Sequence, residues 1–224
     1  ESWNRVLSLT YPLVVILVLD NCSTDNSGSV IESYVTRFPG RISAVYTTES
    51  SGNVFRQWQK GHSLAKGDLV WICESDDFCE PTFIERMITA FRDPSVMMAF
   101  GRIQFANSQG EFFAGLDHYR EDSEPGIWDG RVTRPAAEWF RGGFGVKNVI
   151  ANVGGSLWRR FEISDQVWEE ARNYRIMGDW YLYSAIASGG QIAYEPSAVS
   201  YFRIHESNTS GSSAQSKPEY YKEY

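Results

Sequence analysis

Leu13 to Leu19 (LVVILVL) constrains this chain more than any other stretch: it is a continuous run of Leu, Val and Ile with no polar residue. The run is too short to cross a bilayer and lacks the alternation of a strand with one wet face. It reads as a strand covered on both sides. It stops at Asp20. A turn-rich segment, DNCSTDNSG, follows, and then Val30, Ile31, Tyr34, Val35 and Phe38 recur at helical spacing, with Thr24 or Asp25 placed to cap the helix.

The same order repeats downstream. Ile42 to Thr48 reads as a short strand and Val54 to Leu64 as a helix ended by Lys66-Gly67. Leu69 to Cys73 (LVWIC) is a second buried strand, and it runs directly into Glu74-Ser75-Asp76-Asp77. Pro81 suits the first position of the next helix, whose apolar stripe is Phe83, Ile84, Met87, Ile88 and Phe91. Val96 to Phe105 is a further strand. Strands alternating with helices predict an α/β domain with a largely parallel central sheet.

From Ser108 to Gly145 the pattern dissolves into Gly, Asp, Glu, Pro and aromatics, with one helix expected over Pro135 to Arg141. Such a segment is expected to be irregular, a lid or acceptor-side insert. Order returns with NVGGSLWRR, a helix carrying GDWYLYSAIASGG, and a strand pair around IAYEP and VSYFRIH. The Ser-rich residues that follow read as a polar tail or linker. The domain is therefore drawn at 1–209 and the tail at 210–224, and 224 residues suffice for one sizeable core.

A formal charge of -7 without basic runs argues against a nucleic-acid partner. Cys22, Cys73 and Cys79 form neither a disulfide framework nor a zinc spacing, so reduced thiols and a cytoplasmic location are expected. Neither a signal peptide nor a spanning segment is recognisable, which still leaves room for peripheral work at the inner face of a membrane. Asn21-Cys22-Ser23 and Asn208-Thr209-Ser210 match the glycosylation sequon, a short pattern that needs a secretory context to matter.

In an open α/β sheet, ligands bind beyond the carboxyl ends of the strands. Both acid clusters, Asp20-Asn21 and Glu74-Ser75-Asp76-Asp77, fall at such ends. Asp25 is accounted for by helix capping alone. Asp20 or Asn21 could accept a hydrogen bond from a nucleobase. Three carboxylates within four residues repel one another unless a cation neutralises them, and hard oxygen ligands suit Mg²⁺ or Mn²⁺. The alternative is a solvated acidic turn in which Asp77 caps the next helix. A dinucleotide-dependent dehydrogenase is excluded, because DNCSTDNSG lacks G-x-G-x-x-G and would set acid against a pyrophosphate.

Three ordered motifs, TYPLVVILVLDNCSTDNS, VFRQWQKGHSLAKGDLVWICESDDFCEP and GDWYLYSAIASGGQIAYEPSAVSYFRIH, together resemble the inverting family-2 glycosyltransferases, which have the GT-A fold. The similarity covers residues 7 to 209 and is closest to bacterial members that build surface polysaccharides. It implies a sugar moved from a nucleotide-diphosphate donor to a glycan or lipid-linked acceptor. It also implies that Asp20 and Asn21 contact base and ribose, and that Glu74-Ser75-Asp76 stands where the family has Asp-x-Asp. Asp76 then becomes the metal ligand for Mg²⁺ or Mn²⁺, with Glu74 and Ser75 on the donor and His205 as a further metal or diphosphate ligand. Asp179, in GDW, matches the catalytic base. Trp180 beside it could pack on an acceptor sugar, and Arg56 could meet the phosphates.

Two departures stand out. Glu74 and Asn21 each occupy a position where the family more often has Asp. The family's first strand has no counterpart before Glu1, and ESWNRVLSL reads as a shortened first helix, as though the chain were part of a longer polypeptide. The alternative function these departures motivate is a non-catalytic nucleotide-sugar or glycan-binding module.

Overall fold

The computed structural model describes residues 6–205. The domain boundary at 209, the tail 210–224, the second sequon and most of the expected first helix lie outside them.

The chain opens with β1 (Ile16–Asp20), α1 (Ser27–Arg37), β2 (Ile42–Tyr46) and α2 (Val54–Leu64). β1 and β2 pair in parallel, Ile16 opposite Ile42 through Asp20 opposite Tyr46, as a βαβ unit requires. The strand begins three residues later than the apolar run. Leu13 and Val15 are 76% and 73% exposed, and Ile16 to Leu19 are half-buried. Among the described residues β1 pairs on one edge only, and its half-buried side chains show the expected cover on both faces to be incomplete. Neither Thr24 nor Asp25 is the cap residue of α1. Asn26 occupies that place, and Asp25 acts one position earlier by accepting the Ser27 N–H at 2.9 Å.

The second sheet takes in β3 (Leu69–Val70), β4 (Phe78–Cys79), β5 (Val96–Ala106), β6 (Phe112–Gly115), β7 (Val132–Pro135), β8 (Ser156–Arg159) and β9 (Gln191–Arg203). Its main path runs β3-β8-β5-β9-β4, with β6 beside β5 and β7 beside β9. The sheet is mixed. β5 and β9, its two long central strands, run parallel, and the remaining pairings are antiparallel. LVWIC contributes only Leu69 and Val70 to the ladder, after which the chain leaves the sheet toward the acidic turn.

IAYEP and VSYFRIH, expected as two strands, are one. β9 bulges between Glu195 and Val199, where the register against Gly101 and Arg102 slips. Gly101 permits this, because a Cβ there would collide with the Ala198 carbonyl oxygen. Around β5 and β9 lies the core, in which Met98, Phe100, Ile103, Trp139, Trp158 and Ile192 are wholly shielded from solvent.

Helices cover this sheet. α3 (Phe83–Met87) is capped at Thr82, so Pro81 precedes the helix, which then tightens into a 3₁₀ turn over Ile88–Arg92. Segment 108–145 is more ordered than its composition implies. It contains β6, a single turn α4 (Asp117–Arg120), β7 and α5 (Ala136–Arg141), the last at the expected place. Two longer helices follow, α6 (Asp165–Asn173), capped by the Ser164 hydroxyl, and α7 (Gly178–Ala187). No helix among the described residues is long and apolar enough to cross a membrane.

Candidate active site

The site is assembled from four ends of chain: the tip of β1, the turn between β3 and β4, the first turn of α7, and the exit of β9. At the tip of β1, Asp20 is buried and accepts from the Ser23 hydroxyl and backbone N–H, while its carbonyl accepts from the Thr47 N–H and hydroxyl. Asn21 Oδ1 accepts from the Ser51 N–H at 2.8 Å and from Gln57 Nε2 at 2.7 Å. Cys22 holds the chain in a left-handed turn, φ 64°.

The first turn of α2 ties this corner to the rest. Gln57 reaches Asn21, and the Phe55 ring lies against Gly178, where any Cβ would collide with that ring and with the Ala171 carbonyl. Glycine at 178 thus lets α7 start hard against α2 and α6, and this close approach sets the position of Asp179. Arg56 projects from the same turn and is exposed.

Between β3 and β4 the chain turns through Glu74-Ser75-Asp76-Asp77. Asp77 is 3% exposed and is not a helix cap. It accepts from Asn152 Nδ2 at 2.5 Å and from the Arg203 N–H at 2.9 Å, which staples the turn to β9 and to the segment before β8. Burial raises its carboxyl to about 6 against the pull of the Arg203 N–H. Asp76 is more open, and His205 Nε2, two residues past the end of β9, lies 3.0 Å from its Oδ2. Ser75 is exposed at the apex.

Glu74 faces inward. Burial, then the charges of Asp77, Asp76 and Asp179, push its carboxyl up to about 8. Asp179 answers from α7. Burial lifts it to about 7 although Trp180 N–H donates to Oδ1 at 2.7 Å and Asn148 Nδ2 approaches Oδ2 at 3.3 Å. Asn148 is itself oriented, since its Oδ1 accepts the Ile150 N–H at 3.0 Å. Asp179 is not the cap residue, because α7 is capped at Met177, and it is half-buried. Trp180 is half-buried, with its indole N–H committed to the Phe144 carbonyl at 2.8 Å.

The structure therefore brings Glu74, Asp76, Asp77, Asp179 and His205 into one electrostatic cluster, and sets Asn21 beside the turn that carries Arg56. Three amides that sequence reasoning overlooked support these groups: Gln57 donates to Asn21, Asn148 to Asp179 and Asn152 to Asp77. Among the described residues no group of three His, Cys, Asp or Glu is arranged to hold a metal ion. Asp76 and His205 offer two ligands. A hard cation there would complete its shell with water and substrate phosphate.

Comparison with known proteins places this geometry in context. The model of glycosyl transferase family 2 matches residues 1–177. Glycosyltransferase GlyG of Streptococcus pneumoniae is 26% identical over 114 residues, which is 50% of this chain and 37% of that protein. An uncharacterised glycosyltransferase of Nostoc is 24% identical over 96% of this chain and 63% of its own length. Hyaluronan synthase of Streptococcus pyogenes is 26% identical over 57% of this chain and 31% of its own. The chain spans less than two thirds of each of these relatives. Among solved structures, Staphylococcus aureus TarS 1–349 superposes with a TM-score of 0.62 at 14% identity, covering 91% of this chain and 56% of that one. The α/β fold is thus of the GT-A kind expected from the three motifs.

Proposed function

The chain belongs to glycosyl transferase family 2, and from that premise we propose that it is an inverting transferase acting in bacterial surface-polysaccharide synthesis. It moves a sugar from a nucleotide-diphosphate donor to a glycan or lipid-linked acceptor. The observation that carries this reading is the convergence of the β3–β4 acids with Asp179 of α7. Carboxyls from distant parts of the sequence act on one another, with Arg203 beside Asp77 and His205 beside Asp76.

Inversion requires an acceptor hydroxyl to lose its proton as it attacks the anomeric carbon opposite the departing diphosphate. Asp179, raised to about 7, is suited to take that proton near neutral pH. The Trp180 N–H holds one of its oxygens and Asn148 approaches the other. Asp20 and Asn21 receive the base and ribose, Glu74 and Ser75 the ribose side of the donor, and Arg56 the phosphates. The half-buried Trp180 borders the acceptor.

Mg²⁺ or Mn²⁺ fits the donor set. Asp76 and His205 are adjacent and accessible, and the carboxyls of Asp77 and Asp179 stand near them, so the cluster suits a cation. Asp76 and His205 would hold the ion. Bound there, it neutralises charge on the leaving diphosphate.

The test is nucleotide-diphosphate release from a panel of nucleotide sugars with Mn²⁺, with and without a chelator. Chelator-sensitive release from at least one donor is the expected result. Binding of a donor that is never consumed, across acceptors, would instead make the chain a binding module.

A further inference from the structure

Tyr183 lies one helical turn beyond Asp179 on α7, and so on the same face of that helix. The residue is wholly buried, with its ring 6.3 Å from that of Phe144. Its hydroxyl is sealed from solvent and meets hydrogen-bond geometry with no described group. Buried phenols ordinarily find a partner, and Phe would fill the same space without leaving a polar atom stranded.

The surroundings of that hydroxyl are not apolar. Asp179 on its own helix, Glu74 from the β3–β4 turn and Ser156 at the start of β8 all act on it electrostatically. The single Ser156 proton is already donated to the Val153 carbonyl at 3.0 Å, so that hydroxyl can only accept. The phenolic proton of Tyr183 therefore sits among acceptors. Asp179 has one oxygen held tightly by the Trp180 N–H and the other held loosely by Asn148 at 3.3 Å.

We propose that Tyr183 is a positioning residue for Asp179, its O–H closing onto the carboxylate as Asp179 ionises and turning the remaining lone pair toward the acceptor hydroxyl. This rests on the reading of Asp179 as the base. The groups facing Asp179 are Glu74 from the β3–β4 turn, Asn148 from the segment before β8, and Trp180 N–H and Tyr183 of α7. Tyr183 and Asn148 are the two side-chain donors in that set, and Asn148 already approaches Asp179 while the Tyr183 hydroxyl is engaged by no described group.

Tyr183→Phe removes the proton and keeps the shape. Its unfolding midpoint should equal or exceed that of the parent, because a stranded hydroxyl is lost. The carboxyl titration of Asp179 is followed by ¹³C NMR in the metal-free protein, its resonance assigned by disappearance in Asp179→Asn. The variant should move that titration upward by about one unit, the scale of one hydrogen bond to a charged group. Its kcat should fall about tenfold with KM unchanged, and the acid limb of its pH profile should shift with the titration. An unmoved titration together with an unmoved acid limb overturns the proposal, even where Asp179→Asn is inactive and the base assignment stands. If the titration moves while Asp179→Asn still transfers sugar, the contact exists but serves no base, and the positioning role falls with that assignment.

Discussion

Two strand ends in this molecule carry acid, and they are built in opposite ways. At the tip of β1, Asp20 and Asn21 are dressed in donors: the Ser23 hydroxyl and N–H, the Ser51 N–H and the Gln57 amide. At the end of β3, carboxyls face carboxyls. Glu74, Asp76 and Asp77 lie close enough to perturb one another, and Asp179 adds a fourth charge from α7. A corner whose polarity is already balanced can recognise a base or ribose by exchanging hydrogen bonds. A corner where carboxyls are buried together favours ligands that bring positive charge and holds acids near neutral pKa, which is where a proton can be taken and passed on. On the proposed function, the first corner would recognise the donor and the second would carry the chemistry.

The contrast can be broken at its charged end first. Asp76→Ala combined with His205→Ala should lower transfer by at least about 100-fold and abolish its dependence on Mn²⁺. Steady-state assays across Mn²⁺ concentrations check this, and an unchanged metal dependence would place the cation elsewhere.

The pH profile is next. A base raised to about 7 is active only when deprotonated, so turnover should fall roughly tenfold per unit below pH 7. The stability sign runs the other way. Between about pH 4 and 7 the folded protein holds a proton on Asp179 that the unfolded chain has released, so stability declines as pH rises through that window. Asp179→Asn should therefore unfold at a higher temperature than the parent at pH 8, a difference that narrows toward pH 4 as melting curves at the two pH values would show.

Gly178→Ala should cost about 1–3 kcal/mol in denaturant titrations, since the new Cβ meets Phe55 and the Ala171 carbonyl. It should also reduce turnover, by displacing Asp179. The smallest effect is expected at the balanced corner. Asn21→Ala removes hydrogen bonds worth about 1 kcal/mol and should weaken donor binding roughly fivefold by calorimetry, with kcat preserved. A large loss of kcat there would blur the division between the two ends.

Much of this was legible because strands, caps and strand-end acids are local signals. β1 and the acidic turn follow from hydrophobic runs that stop at acid, and α2 from a helical stretch ended by Lys66-Gly67, whereas Asp76 and Asp179 were singled out by resemblance to the family. What escaped was non-local. Asn152 meets Asp77, and the Arg203 N–H meets it too, across separations of 75 and 126 residues. No run or period marks such partners. The parallel pairing of β5 with β9 is equally hidden, and the Glu195–Val199 bulge that makes one strand of two apparent ones depends on a glycine in the neighbouring strand. Helix α6 was missed for a different reason. Ser164 caps it and Trp168 and Ala171 bury its inner face, but charged Glu169, Glu170 and Arg172 break up the apolar pattern.

Asp179 is the residue on which the proposed chemistry turns. The direct measurement is Asp179→Asn assayed for both donor binding and sugar transfer in the presence of Mn²⁺. Donor affinity should stay within about threefold of the parent while transfer falls by about 10²–10⁴-fold. Transfer at the parental rate would show that the proton leaves by another route and that the carboxyl cluster between β3 and α7 is not where the chemistry occurs.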